Sequence, residues 1–361
     1  MSDEAILNTP LRYRHDRLPR VDYAAHPAYG AVWTASDRLA ALGRFARGLS
    51  VAWLRWAVDF EHLPKPPAGV GRAGWLLRSA PRLAAGAVRH NLRRAARGGT
   101  APASGADEVV REALADDGVF VFRMTAAEQA RMAELTDPWF RELEGRLAAG
   151  IRDFDDNRVW IDEARAPEPY AWFREMLARA GVVGGSRAYL GRPVTVAHLI
   201  PQINTLGTDF WTGQFADIGE PDPACNYCHV DTAWGITKMI VYLGEVDEAN
   251  GPFAYVRGSH RARDGFWGRL VRKANDHAGL SSTRPAVRRL FAALPRALQH
   301  KAAFGPDLRD SHPMADDLLR AEWRITSDHG HGILFDPDGV HRGGMVREGR
   351  RRVVGVLLAE V

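Results

Sequence analysis

The chain is poor in cysteine: Cys225 and Cys228 are the only two in 361 residues. That excludes the disulfide framework of small secreted domains. Long apolar runs are also missing. The best stretch, Leu49 to Phe60, is broken by Arg55 and is too short to cross a bilayer. The opening residues Met1-Ser2-Asp3-Glu4 lack the basic start and apolar core of a secretory signal, so the expected location is cytoplasmic. No acidic residue occurs between Glu61 and Asp107, a stretch that holds Lys65, Arg72, Arg78, Arg82, Arg89, Arg93, Arg94 and Arg97. Such a block suits an anionic membrane surface or a phosphorylated substrate at 62–106; a solvated helical face is the plainer alternative. Net charge is only +4, and nucleic acid is not an expected partner.

What remains is an ordinary globular composition, 46% hydrophobic and 25% charged, with eleven Trp and fourteen Phe for a core and pocket walls. Residues 1–104 read as a basic helical N-terminal extension, interrupted at Pro64, Pro66 and Pro67. Gly98 to Gly105 reads as a linker. From 105 the pattern changes. A helix over Asp107–Ala115 leads through Asp117-Gly118 to a buried strand, Val119–Phe122. Thr125 and Glu128 form a capping box for the next helix, and another covers about 168–180. Beyond it, strand-like runs dominate: Val194–Ile200, Lys238–Leu243, Phe253–Val256, Gly332–Phe335 and Val353–Leu358. Asn250-Gly251 marks a tight turn. A helical insert is expected over 262–323. Many short strands after a helical start predict a mixed α/β protein with a mainly β core, as a barrel or sandwich flanked by helices.

The chemistry centres on Cys225-Asn226-Tyr227-Cys228-His229-Val230-Asp231. On a strand, residues two apart share a face, so His229 and Asp231 can converge on one metal. His341 follows Gly332–Phe335 and a turn, Asp336-Pro337-Asp338-Gly339, and is the candidate third ligand. Two histidines and one carboxylate leave coordination sites open, the facial triad of non-haem iron(II) oxygenases. Arg350, Arg351 and Arg352 follow His341 by nine to eleven residues and lead into an apolar strand. One guanidinium fork there suits the distal carboxylate of a diacid; a charged turn is the simpler reading for at least two of the three.

Five motifs in order over 106–361 resemble the phytanoyl-CoA dioxygenase family of Fe(II)/2-oxoglutarate oxygenases. They are Asp117-Gly118 with its strand, His229-Val230-Asp231, Glu248-Ala249-Asn250-Gly251-Pro252-Phe253, Arg257-Gly258-Ser259-His260-Arg261, and Gly332-Ile333-Leu334-Phe335 with His341-Arg342-Gly343. The resemblance implies a double-stranded β-helix of jelly-roll or cupin-like form. It implies Fe(II) held by His229, Asp231 and His341, with 2-oxoglutarate and O₂ as co-substrates and hydroxylation of a small-molecule or lipid-like substrate as the reaction. It further implies Arg351, or Arg352, as the co-substrate arginine, with Gln202 and Asn204 as polar neighbours. A carboxylate at 231 argues against halogenation, which needs that position for halide. Cys228 stands where a tryptophan often precedes the metal histidine, and Arg257 where proline is common.

Several signals are set aside. Cys225-x-x-Cys228-His229 spells a c-type haem motif, but no export signal accompanies it, and a structural zinc site would need two more ligands. Gly69-Val70-Gly71-Arg72-Ala73-Gly74 follows prolines rather than a strand, so it reads as a loop. His329 and His331 precede a strand and read as loop or pocket residues. His260 reads as a turn stabiliser. Trp211 and Trp234 flank the metal motif as core or pocket wall. The alternative function is a non-catalytic β-helix scaffold docking through its basic N-terminal region. A metal-dependent hydrolase or isomerase is a further competitor.

Overall fold

The computed structural model describes residues 33–58, 105–151, 157–206, 230–231, 233–261, 265–275, 290, 293–299, 322–328, 330–344 and 346–360, with isolated positions 75, 78, 81 and 85. His229, both cysteines, Trp211, His329, the Gly69–Gly74 loop and nearly all of the arginine block lie outside them.

Helix α1 (Ala35–Val58) comes from the N-terminal extension. After the linker, α2 (Ala106–Asp116) precedes strand β1 (Val119–Arg123), and α3 (Ala126–Ala148), α4 (Pro167–Arg179) and α5 (Val182–Leu190) follow. Next come β2 (Thr195–Thr205), β3 (Thr237–Tyr242) and β4 (Phe253–Val256). Within the insert, α6 (Gly265–Asn275) and the single turn α7 (Arg296–Gln299) are described. The chain finishes with β5 (Glu322–Ile325), β6 (His331–Phe335), β7 (His341–Arg342) and β8 (Arg350–Ala359).

Local sequence explains these elements. The capping box at the start of α3 is present: Thr125 Oγ1 accepts the Glu128 N–H at 3.2 Å, and the Glu128 carboxylate accepts the Thr125 N–H at 2.9 Å. Val110, Ala113 and Leu114 form the buried stripe of α2. That stripe meets α5 at Gly185, where a Cβ would lie 2.5 Å from the Val110 Cβ, so only glycine allows the approach.

The strands form two antiparallel sheets. The larger has the order β1-β6-β3-β8-β2 and the smaller β5-β4-β7. Side chains alternate across each strand, so the large sheet has two apolar faces. Its outer face (Phe120, Phe122, Met239, Val241, Val354, Val356, Leu358) packs on α2 to α5 through Leu114, Phe140, Phe173 and Leu177. Its inner face (Val119, Val121, Tyr242, Ile333, Phe335, Val353) meets Phe253, Tyr255, Trp323 and Ile325 of the small sheet. This is a jelly-roll layering of two sheets with helices on one side.

Four expectations need correction. Among the described residues the sheets do not close into a barrel: the small sheet has three strands, and His229, expected on a strand with Asp231, lies outside the described residues. Asp231 itself is in no strand. Strand β2 runs on to Thr205, through Pro201. It is an edge strand, where a missing N–H is tolerated, and the edge is covered by residues 157–161: Val159 N–H donates to Pro201 O, and Ile161 N–H to Leu199 O. Finally, β5 was not expected, and it takes Glu322 and Trp323 out of the insert. The buried Glu322 carboxylate accepts a 2.6 Å hydrogen bond from Nε of Arg342 on β7, and that ion pair rewards the chain for pairing there.

Candidate metal and co-substrate site

The family-like loops converge on His341. The turn after β4 has Gly258 at φ +71°, and its N–H donates to Asp117 O at 2.8 Å. Ser259 Oγ donates to Val256 O at 2.6 Å and accepts the Val340 N–H at 2.7 Å. Gly118, at φ +77°, lies so close to Tyr255 and His260 that a Cβ would sit 2.4 Å from each. Its carbonyl accepts the Asp336 N–H at 2.8 Å. The β4 turn thus braces Val340, just before His341, and Gly118 braces Asp336 at the start of the β6–β7 turn. Arg257, where the resemblance leads one to expect proline, lies over the Trp323 ring at 4.1 Å.

His341 is 5% exposed and sits against Phe335 at a 4.9 Å ring separation. Its Nδ1 lies 2.8 Å from Gly339 O. A carbonyl can only accept, so Nδ1 carries a proton, and in the neutral ring Nε2 presents its lone pair. This is how outer hydrogen bonds prepare a ligating imidazole. Nε2 lies 3.5 Å from Asp231 Oδ2. Two donors each about 2.1 Å from one ion are separated by about 3 Å at a right angle and about 4 Å when opposed, so both can serve one metal side by side. The Asp231 backbone is fixed as well: its N–H donates to Pro337 O at 2.9 Å. Among the described residues no three His, Cys, Asp or Glu side chains gather at a metal-binding spacing, and the expected third ligand, His229, lies outside them.

Sequence reasoning missed Lys238. Its Nζ lies 2.7 Å from the same Asp231 Oδ2. On β3 it shares the inner face with Ile240 and Tyr242, in a run whose apolar residues do not alternate with polar ones, so no pattern in the sequence marks it.

Arg351 and Arg352 point to opposite faces of β8. Arg352 is on the outer face, over the Phe140 ring at 5.0 Å and 3.9 Å from Glu144. Arg351 is on the inner face, 8% exposed, and donates to Gly344 O at 3.3 Å. It is opposite Asn204 in register, as Val353 is opposite Gln202, so Arg351, Asn204 and Gln202 share that face. Gln202 Nε2 donates to Asn204 Oδ1 at 2.8 Å. The Tyr242 phenol is close enough to feel the guanidinium; burial pushes the phenol up to about 12 and Arg351 opposes the shift. Lys238 pairs with Leu357, six residues from Arg351, about 20 Å along β8. One inner face therefore has a cation near each end.

Comparisons with known proteins add an outline only. No family model matches the chain, and no curated protein matches it. Among solved structures it is similar to EctD from S. alaskensis, solved with 2-oxoglutarate and 5-hydroxyectoine: 16% identity, 73% of this chain, 80% of that one, TM-score 0.44. It is similar to AviO1 from Streptomyces viridochromogenes Tue57: 15% identity, 72% of this chain, 97% of that one, TM-score 0.39. It is also similar to the epimerase SnoN, solved with Fe3+, alpha ketoglutarate and nogalamycin RO: 13% identity, 71% of this chain, 84% of that one, TM-score 0.38. At such values the functional assignment has to rest on the residues of the site.

The other histidines do different work. His331 opens β6, buried, with Nδ1 2.7 Å from Ser327 Oγ; it is a strand residue rather than the loop residue expected. His260 donates from Nε2 to Ala115 O at 3.3 Å, while its buried Nδ1 has no partner. Burial pulls its pKa down to about 4 from 6.5. In the unfolded chain it protonates first, so its stabilising contribution is complete above pH 6.5 and is lost as pH falls toward 4. Arg261 also donates to Ala115 O, at 2.7 Å, so replacing the imidazole leaves that carbonyl satisfied. His260→Leu should therefore gain about 3 kcal/mol on the wild type between pH 6.5 and pH 4. Urea unfolding midpoints across that range test this, and parallel pH profiles would rule it out.

Proposed function

We propose that this chain is an Fe(II)- and 2-oxoglutarate-dependent dioxygenase that hydroxylates an unactivated C–H bond of a small-molecule or lipid-like substrate, releasing succinate and CO2. One observation carries the reading: Asp231 Oδ2 lies 3.5 Å from His341 Nε2, the nitrogen that holds the lone pair of the neutral ring when Nδ1–H bonds Gly339 O. Asp231 and His341 would hold the metal, with His229 as the third ligand. Iron(II) there would supply O₂ activation coupled to decarboxylation of the 2-oxo acid. Arg351 would take the far carboxylate with its fork, Asn204 and Gln202 would order the floor beside it, and Lys238 would add positive charge at the metal end. The apolar rings of Phe335 and Phe253 beside His341 keep water from its ring.

Anaerobic titration of the protein with Fe(II) and then 2-oxoglutarate tests the proposal. The expected result is a weak visible charge-transfer band that saturates at one equivalent, with O₂ then yielding succinate. A second reading rests on the Lys238–Asp231 pair: the ammonium takes the cation's place, and the fold serves as a non-catalytic scaffold docking through its basic extension. Absence of saturable Fe(II) binding would favour that reading.

A further inference from the structure

Lys273 belongs to the insert helix α6, which also carries Arg269 and Arg272, yet it is only 1% exposed. Its ammonium donates to Asp231 O at 2.6 Å and to Ala233 O at 2.8 Å, and it pairs with Asp338. It also lies 4.5 Å from the centre of the Trp234 ring. Two backbone carbonyls thus accept from the ammonium, and the Asp338 carboxylate neutralises its charge. Those partners come from two segments: one carries Asp231, and the other is the β6–β7 turn, where Gly339 O orients His341. Arg269 adds a second contact to Asp338 at 3.3 Å. Trp234 Nε1 donates to Ala52 O of α1 at 3.1 Å, and Ala52, Trp234 and Leu270 pack together. Extension, insert and candidate ligand segment are therefore one packed unit.

We infer that Lys273 is a positioning residue for the metal centre: it ties the Asp231 segment to the His341 turn, so that metal binding and the packing of α6 are coupled. The inference rests on the metal-site reading above. A lysine that only filled the fold would stabilise the protein equally with or without metal. A lysine that sets the Asp231–His341 separation must be felt by the metal, and the metal must be felt by α6, because coupling is reciprocal.

The first measurement uses the unaltered chain. Amide hydrogen exchange is compared in the metal-free protein and with saturating Fe(II) under anaerobic conditions. Exchange in residues 265–275 should slow at least about threefold on metal addition, along with that in 233–236. The second uses Lys273→Met and, as a milder change, Asp338→Asn. In folded variant the Fe(II) dissociation constant should rise about 10- to 100-fold, the usual cost of losing a group that orients a ligand. If Lys273→Met does not fold, Asp338→Asn and the exchange experiment still decide. Fe(II) binding by the wild type with unchanged exchange in α6, or variants with wild-type affinity, would overturn the inference and leave the metal site standing. A wild type that binds no Fe(II) would overturn both.

Discussion

Asp231→Ala is expected to weaken Fe(II) binding and to lower kcat/KM for 2-oxoglutarate turnover by at least about 10³-fold, well beyond the 10- to 100-fold typical of an outer hydrogen-bond partner. The fold should tolerate the change. Asp231 and Lys238 are each part-exposed, and an ion pair of that kind contributes about 0–1 kcal/mol. The backbone contacts of residue 231, its N–H to Pro337 O and its C=O from Lys273, do not need the carboxylate. Loss of function in Asp231→Ala is thus a loss of the ligand, and circular dichroism with a thermal melt near that of the wild type would establish it. His341→Ala should give the same functional loss with more damage to the fold, since that ring fills space against Phe335 and Phe253. An Asp231→Ala protein that keeps Fe(II) affinity within about tenfold of wild type would end the metal assignment, because the outer-partner range would then cover the whole effect.

What could be read from residues alone follows a physical division. Local chemistry was legible. The Thr125–Glu128 box and the Asn250-Gly251 turn, where Asn250 Oδ1 accepts the Asp247 N–H at 3.0 Å and Gly251 has φ +78°, act within a few residues of themselves. Asp231 and His341 are singled out by the spacing of His229 and Asp231 and by the place of His341 after its strand and turn; the structure puts their side chains 3.5 Å apart. The expectation of a strand at His229 and Asp231 comes from residue spacing; Asp231 itself is outside any strand and is tied to the β6–β7 turn by its N–H bond to Pro337 O, while His229 lies outside the described residues. Lysines were the least legible. Lys238 sits in a strand, and Lys273 on a helix face shared with Leu270 and Ala274, yet lysine is so commonly solvated that neither position marked itself. Their roles come from carbonyl and carboxylate groups that only the tertiary fold brings within reach.

The two neighbouring arginines give the sharpest contrast available in this protein. Arg351→Met should raise the KM for 2-oxoglutarate about 100-fold or more, whereas Arg352→Met should change it less than about threefold. Alternation along β8 is the reason: one side chain enters the inner face beside Asn204 and Tyr242, and the other lies outside on Phe140. A buried guanidinium that grips a carboxylate through two charge-assisted bonds is worth about 2–5 kcal/mol, or about 30-fold to several thousandfold in affinity. The outer arginine makes an exposed, screened contact with Glu144 and a ring contact, so its loss should appear as a small decrease in thermal stability. Arg351→Lys separates charge from shape: it keeps the positive charge without the planar fork and should recover only part of the lost affinity. Equal effects of the two methionine variants on KM would mean that the inner face of β8 is not where the co-substrate binds. A larger effect at Arg352 would place the diacid on the helical side of the sheet, where Phe140, Phe173 and Leu177 already fill the space.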